Sequence, residues 1–212
     1  MKSIARDSQH VEHPFQREML EKLFEPVSIG PMKLRNRIAL APIQRLPPER
    51  TYPDLHPTHV AFHEAIARGG AGLIVVGEVV VTPDSPGTLQ TAAGERRPPK
   101  AIWSDATIPS WEGFCEACHK WGAKVVPQLS THAPWVGRIA GTRGGGETDL
   151  IVPNAEDSGM TPDVLKAETE HYVAAAVRAK KAGADGVELT GARESLIAIL
   201  ISEIRNPGVR GY

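Results

Sequence analysis

Glu78 stands in an otherwise apolar stretch, Gly72-Leu-Ile-Val-Val-Gly-Glu-Val-Val-Val81. A carboxyl group emerging from such a run is desolvated, which raises its proton affinity into the range where a general acid or base works. The competing reading is an ion pair with Arg193, Arg138 or Arg45. Arg193 is in turn either a bidentate clamp for a substrate carboxylate or phosphate, or a solvated residue at the start of a helix. Thr190 to Ser195 lie just beyond a short apolar run, Gly186 to Leu189, where parallel α/β architectures place their chemistry. Metal chemistry finds less support. Cys115 and Cys118 are three apart with only His119 adjoining, whereas a zinc site takes about four ligands. With Trp111 and Phe114 they fall on one face of a helix, which reads as core. His56, His59 and His63 are interrupted by Pro57, so no metal is expected there either.

The elements that must carry these residues alternate. Two short runs around Gly30-Pro31 read as a β-hairpin, and Ile38 to Ala41 as a buried strand. Thr58 to Arg68 reads as a helix closed by Gly69-Gly70, and Gly72 to Val81 as a strand buried on both faces. A proline-rich loop leads to a helix over Trp111 to Trp121 and a third strand over Lys124 to Leu129. Residues 130–160 form a long polar loop whose Gly144-Gly-Gly146 lacks the Gly-Lys-Ser/Thr of a phosphate loop. Thr161-Pro162 supplies an N-cap and first-turn proline for a helix to Lys181, ended by a left-handed Gly183. Gly186 to Leu189 is the fourth strand, and Leu196 to Ile204 opens a fourth helix.

This is a βα pattern, predicting an α/β fold of TIM-barrel-like (β/α) repeats with an N-terminal hairpin. Residues 1–22 read as an extension and 23–212 as one domain. A full barrel takes eight strands and about 250 residues, so about four of the eight βα units are present. Unpaired apolar edges are an aggregation liability. A second copy or another polypeptide is therefore expected to complete the barrel, unless the chain is a truncated product.

The wording of several segments resembles the old yellow enzyme family of flavin-dependent ene-reductases. Leu23 to Pro42 is similar to the family's hairpin and first barrel strand, and Asp185, Gly186, Val187, Glu188, Ala192, Leu196 and Ile197 match its fourth-strand motif. The resemblance implies a barrel oxidoreductase with FMN, held here by Ala41, Pro42, Ile43, Gln44 and Gln128. The departures fall on the family's chemical positions. Thr190 and Arg193 replace its substrate-anchoring pair, Ser195 its proton-donating Tyr, and Gln44 its flavin-tuning Thr or Cys. His132, near the family's Gln-Leu-x-His motif, is a candidate replacement proton shuttle or a structural histidine. Glu78 stands where the family has Gly or Ala against the flavin ring, adding bulk and negative charge that disfavour the usual complex. The family's phosphate-binding segments lie in the half this chain lacks.

Three function classes follow: an oxidoreductase subunit completed by a partner; a flavin-free isomerase, cyclase or lyase using Glu78 with Arg193 or His132; and a non-catalytic partner of a related barrel. A net charge of −1 gives no argument for nucleic acid, and no run approaches a membrane span. With no secretory signal, a cytoplasmic protein acting on a small molecule is expected.

Overall fold

In the computed structural model, residues 20–43, 54–83, 89–90, 96–97, 100–131, 161–191 and 195–201 are described. Strands β1 (Val27–Ile29) and β2 (Met32–Leu34) form an antiparallel hairpin, with Val27 opposite Leu34. Gly30 turns between them at φ +55°, where an L side chain is strained. Arg35 and Asn36 then staple the hairpin to the rest. The Arg35 guanidinium donates to the carbonyls of Ala67 and Ala71 at 3.0 Å each, and the Asn36 amide to that of Gly70 at 2.8 Å.

After β3 (Ala39–Leu40) come α1 (Pro57–Arg68) and β4 (Leu73–Val80). A separate ladder, β5 (Leu89–Gln90) with β6 (Arg96–Arg97), precedes α2 (Ile108–His119) and β7 (Lys124–Ser130). Then follow α3 (Pro162–Lys181), β8 (Glu188–Leu189) and α4 (Leu196–Leu200). The main sheet runs β3-β4-β7-β8, with every neighbouring pair parallel. This is the expected βα succession.

Why β4 sits at the centre follows from its composition. Seven of its eight residues are buried, and Ile74, Val76, Val79 and Val80 have no exposed surface. A strand covered on both faces needs apolar side chains on both. One face meets the helices: Ile74, Val76, Val125 and Leu129 pack with Trp111, Phe114, Cys115 and Cys118 of α2 and Ala175 and Ala179 of α3. Each large side chain so buried contributes roughly 1.5–3 kcal/mol relative to exposure. The other face meets the hairpin, where Leu73, Val75 and Val126 pack with Leu34, Val27 and Met32.

The cysteines are buried and free, as the helical spacing implied. Burial pushes both thiols up to about 12. Several element boundaries differ from expectation, most in α2 and the fourth strand. Helix α2 starts at Ile108 rather than Trp111, because Pro109 suits a first helical turn, and it ends at His119, three residues before Gly122 at φ +75°. The fourth strand is two residues rather than four. Among the described residues it pairs only with β7, so its ladder is short. Val187 and Leu189 there are exposed, as are Val173 and Val177 on α3.

Candidate functional site

The parallel strands bring their C-terminal ends together, and the irregularity that matters is in β4. Val76 opposes Pro127 and Val79 opposes Leu129, so Gly77 and Glu78 together face the single residue Gln128. This is a β-bulge, a device that re-aims side chains at sheet ends. It turns Glu78 out of the apolar alternation and sets it beside Gly77 across from Gln128.

Gly77 is required there by close approach. A Cβ on it would lie 2.3 Å from Cβ of Pro42 and 2.6 Å from Oε1 of Gln128. Pro42, which follows β3, and Gln128 of β7 thus converge on the missing side chain. Gln128 is held in turn by Glu188, whose Oε1 accepts from Nε2 at 2.6 Å. A hydrogen bond to a carboxylate of this kind contributes about 1.5–3 kcal/mol and fixes the amide's orientation.

Lys100 is the residue that the sequence reading missed. Its segment is pinned beside the end of β4: Val80 N–H donates to the Lys100 carbonyl at 2.8 Å, and Ile102 N–H to that of Val80 at 3.0 Å. The Trp111 indole adds a bond to the Ala101 carbonyl at 3.0 Å. From this anchored backbone the ammonium donates to the Gly77 carbonyl and, at 3.5 Å, to that of Ile43. Burial pulls the amine down to about 8, against the opposing pull of the Glu78 charge. The signal available in the sequence was a basic residue between Pro98-Pro99 and the apolar Ala101-Ile102, but nothing local ties it to β4.

The other expected residues are distributed as follows. Ala41, Pro42 and Ile43 stand at the end of β3, beside Gly77 and Lys100. The Thr190 hydroxyl donates to the Leu129 carbonyl at 3.0 Å and is only 6 % exposed, which locks β8 to β7. The Ser195 hydroxyl accepts from Ala198 N–H at 3.2 Å, capping α4. Gln44, His132 and Arg193 lie outside the described residues, as do Arg45, Arg138 and the glycines at 144–146. Burial raises the Tyr172 phenol, the charges of Glu168 and Glu78 add to this, and it stays protonated at neutral pH although its oxygen accepts from Thr131 N–H at 3.0 Å. Among the described residues no group of three or more His, Cys, Asp or Glu is placed to hold a metal ion, and no helix is long and apolar enough to cross a membrane.

At the opposite end of the strands a cavity of about 390 Å³ is lined by Pro31, Met32, Lys33, Lys124 and Asp185. Asp185 accepts from Lys124 at 2.6 Å, from Val125 N–H at 2.9 Å and pairs with His119 at 2.7 Å. Burial acts to raise its carboxyl, but Lys124, the amide and His119 outweigh that and hold it below the usual range. In βα folds this end serves stability rather than chemistry.

A hairpin leading into parallel βα units, with polar side chains gathered at the strand C-termini, defines part of a (β/α) barrel. The chain belongs to the NADH:flavin oxidoreductase / NADH oxidase family, whose model matches residues 22–207. It is 33% identical over 204 residues to an NADPH dehydrogenase of Halalkalibacterium halodurans, covering 92% of this chain and 55% of that protein. In structure it is similar to TcOYE, solved with pHBA, at a TM-score of 0.66 and 26% identity, covering 90% of this chain and 56% of that one. Morphinone reductase, at 24% identity and a TM-score of 0.66, shares the fold over 88% of this chain and 52% of its own. The chain thus spans about half the length of the curated relatives it matches. Family membership implies FMN as the cofactor.

The residues present fit that cofactor. The contact with Glu188 spends one amide hydrogen of Gln128 and leaves the other, with the carbonyl oxygen, for a polar ring edge. The negative charge of Glu78, which on sequence grounds opposed a flavin, has the Lys100 ammonium as a counter-charge at the same strand end, where it is bonded to the Gly77 carbonyl.

Proposed function

We propose that this chain is the N-terminal half of an FMN-dependent, nicotinamide-driven oxidoreductase, and that its barrel and flavin site are completed by further strands from a second copy or another polypeptide. The observation that carries the reading is the convergence of Pro42 and Gln128 on Gly77, where a Cβ would stand 2.3 Å and 2.6 Å from them. Such an approach builds a flat, preorganised floor at the end of the sheet, and the floor contains two residues that resemblance assigns to the flavin.

When bound, the flavin supplies hydride transfer between a nicotinamide and an acceptor. This chain's contribution is to hold and orient it. Ala41, Pro42 and Ile43 form one wall, and Gln128, fixed by Glu188, offers a donor and an acceptor to the ring edge. The strand edge at Val187 and Leu189, with Val173 and Val177 on the adjoining helix, is the surface on which the next βα unit would pack. Phosphate ligands and the proton donor come from that second half, since Ser195 caps a helix and Thr190 is bonded within the sheet. The reading places the protein in the cytoplasm, acting on a small unsaturated acceptor.

The test is a titration of the purified protein with FMN, followed by quenching of flavin fluorescence. Saturable binding, weakened at least tenfold in Gln128→Ala, is expected. Absence of binding, with turnover of a substrate that needs no nicotinamide, would instead support a flavin-free enzyme working through Glu78.

A further inference from the structure

The bulge in β4 creates a charge problem that Lys100 answers. Glu78 is half buried at the C-terminal end of the sheet, opposite Gln128 and next to Gly77. A carboxylate there repels any ligand that gains negative charge, and a flavin does so on reduction. The Lys100 ammonium is bonded to the carbonyl of Gly77, the residue preceding Glu78, and reaches that of Ile43 in the segment following β3. It therefore bridges the ends of β3 and β4 and touches both walls of the floor formed by Pro42, Gly77 and Gln128.

This position is not that of a mobile surface lysine. The backbone on either side is held by Val80, whose N–H donates to Lys100 and whose carbonyl accepts from Ile102, and Ala101 is held by the Trp111 indole. A long side chain fixed at its root and at its tip has little rotamer freedom left to lose on ligand binding. The ammonium is also partly desolvated, which lowers its proton affinity, so its field is less screened than that of an exposed cation.

We propose that Lys100 is a positioning and charge-setting residue of the flavin site: it clamps the β3 and β4 termini, offsets Glu78, and favours the reduced, anionic form of a flavin seated on the Ala41 to Ile43 wall. The inference rests on the flavin reading above and goes beyond it, because neither Lys100 nor its charge balance with Glu78 follows from that reading. Glu78 and Lys100 act in opposite directions on the same equilibrium. Their substitutions therefore have opposite signs, which a purely structural clamp does not produce.

The experiment is a dye-equilibrated reductive titration of the FMN-loaded protein, purified with whatever polypeptide completes its barrel, in four forms: unaltered, Lys100→Met, Lys100→Arg and Glu78→Gln. A unit charge in a partly desolvated site is worth on the order of tenfold in binding. Lys100→Met should weaken reduced over oxidised FMN by about tenfold, which is a fall of about 30 mV in a two-electron midpoint potential. Lys100→Arg, which keeps the charge, should stay close to the unaltered protein, and Glu78→Gln should move the potential upward. If FMN binds but the potential in Lys100→Met and Lys100→Arg is the same, the charge-setting role is overturned while the flavin reading stands. If Lys100→Met loses its flavin, the upward shift in Glu78→Gln decides, and a downward or null shift there overturns the proposal. If the unaltered protein binds no FMN, the flavin reading and this inference fall together.

Discussion

Replacing Gly77 with alanine tests the geometry of the site most sharply. The added Cβ would stand 2.3 Å from Cβ and 3.1 Å from Cα of Pro42, and 2.6 Å from Oε1 of Gln128. Carbon atoms pack at about 3.5–4.0 Å, so Pro42 has to retreat by more than about 1 Å. Gln128 can swing, at the expense of its bond to Glu188. Pro42 cannot, because its ring is part of the backbone leaving β3, and β3 is hydrogen-bonded to β4. The cost belongs at the upper end of the overpacking range, about 3 kcal/mol. Urea unfolding of Gly77→Ala against the unaltered chain measures it, with Gly113→Ala as the control. Gly113 is inside α2 and its Cβ would meet nothing within 4 Å, so that change should stabilise by up to about 1 kcal/mol. A Gly77→Ala protein as stable as the unaltered one, binding FMN equally well, would refute the close approach on which the site is built.

Three further outcomes follow from the structure. Asp185→Asn removes a carboxylate held by Lys124, Val125 N–H and His119, and should cost about 1.5–3 kcal/mol at pH 7. Because the folded carboxyl lies below its unfolded value of 3.8, that contribution is present above this pH and is lost as pH falls through the folded value; urea curves at pH 7 and pH 3 should show the gap closing. Lys100 has the reverse proton balance to an ordinary paired lysine. Its folded value of about 8 lies below 10.5, so the unfolded chain binds more protons between these limits and stability should rise with pH across them, a rise absent in Lys100→Met. Cys115 and Cys118, buried and pushed up to about 12, should resist iodoacetamide at pH 8 and react fully in urea, as read by intact mass; labelling of the folded protein would contradict their burial.

What the sequence revealed and concealed divides along physical lines. The run Leu73 to Val80 announces a buried strand because burial on both faces demands apolar residues at successive positions, and the spacing of Trp111, Phe114, Cys115 and Cys118 announces the face that covers it. Thr161-Pro162 and Gly183 mark the ends of α3 because caps are local chemistry. The bulge at Gly77 and Glu78 is not local. It is set by where β7 pairs some fifty residues later, and the reason for a glycine there appears only when Pro42 and Gln128 arrive. Lys100 was hidden for the same reason, since its partners, Ile43 and Gly77, are distant in the chain and are backbone carbonyls that carry no side-chain signature. Thr190 shows the converse. Its place at a strand end was legible, but its hydroxyl is bonded to the Leu129 carbonyl, a preference that only the neighbouring strand decides.

As proposed, this chain forms one half of a flavin-holding barrel. The most direct measurement is the visible absorption spectrum of the natively expressed protein, recorded together with its mass by light scattering. A yellow particle is expected, one that releases FMN on denaturation and whose mass exceeds that of a single 212-residue chain. A colourless single chain that takes up no added FMN would contradict it.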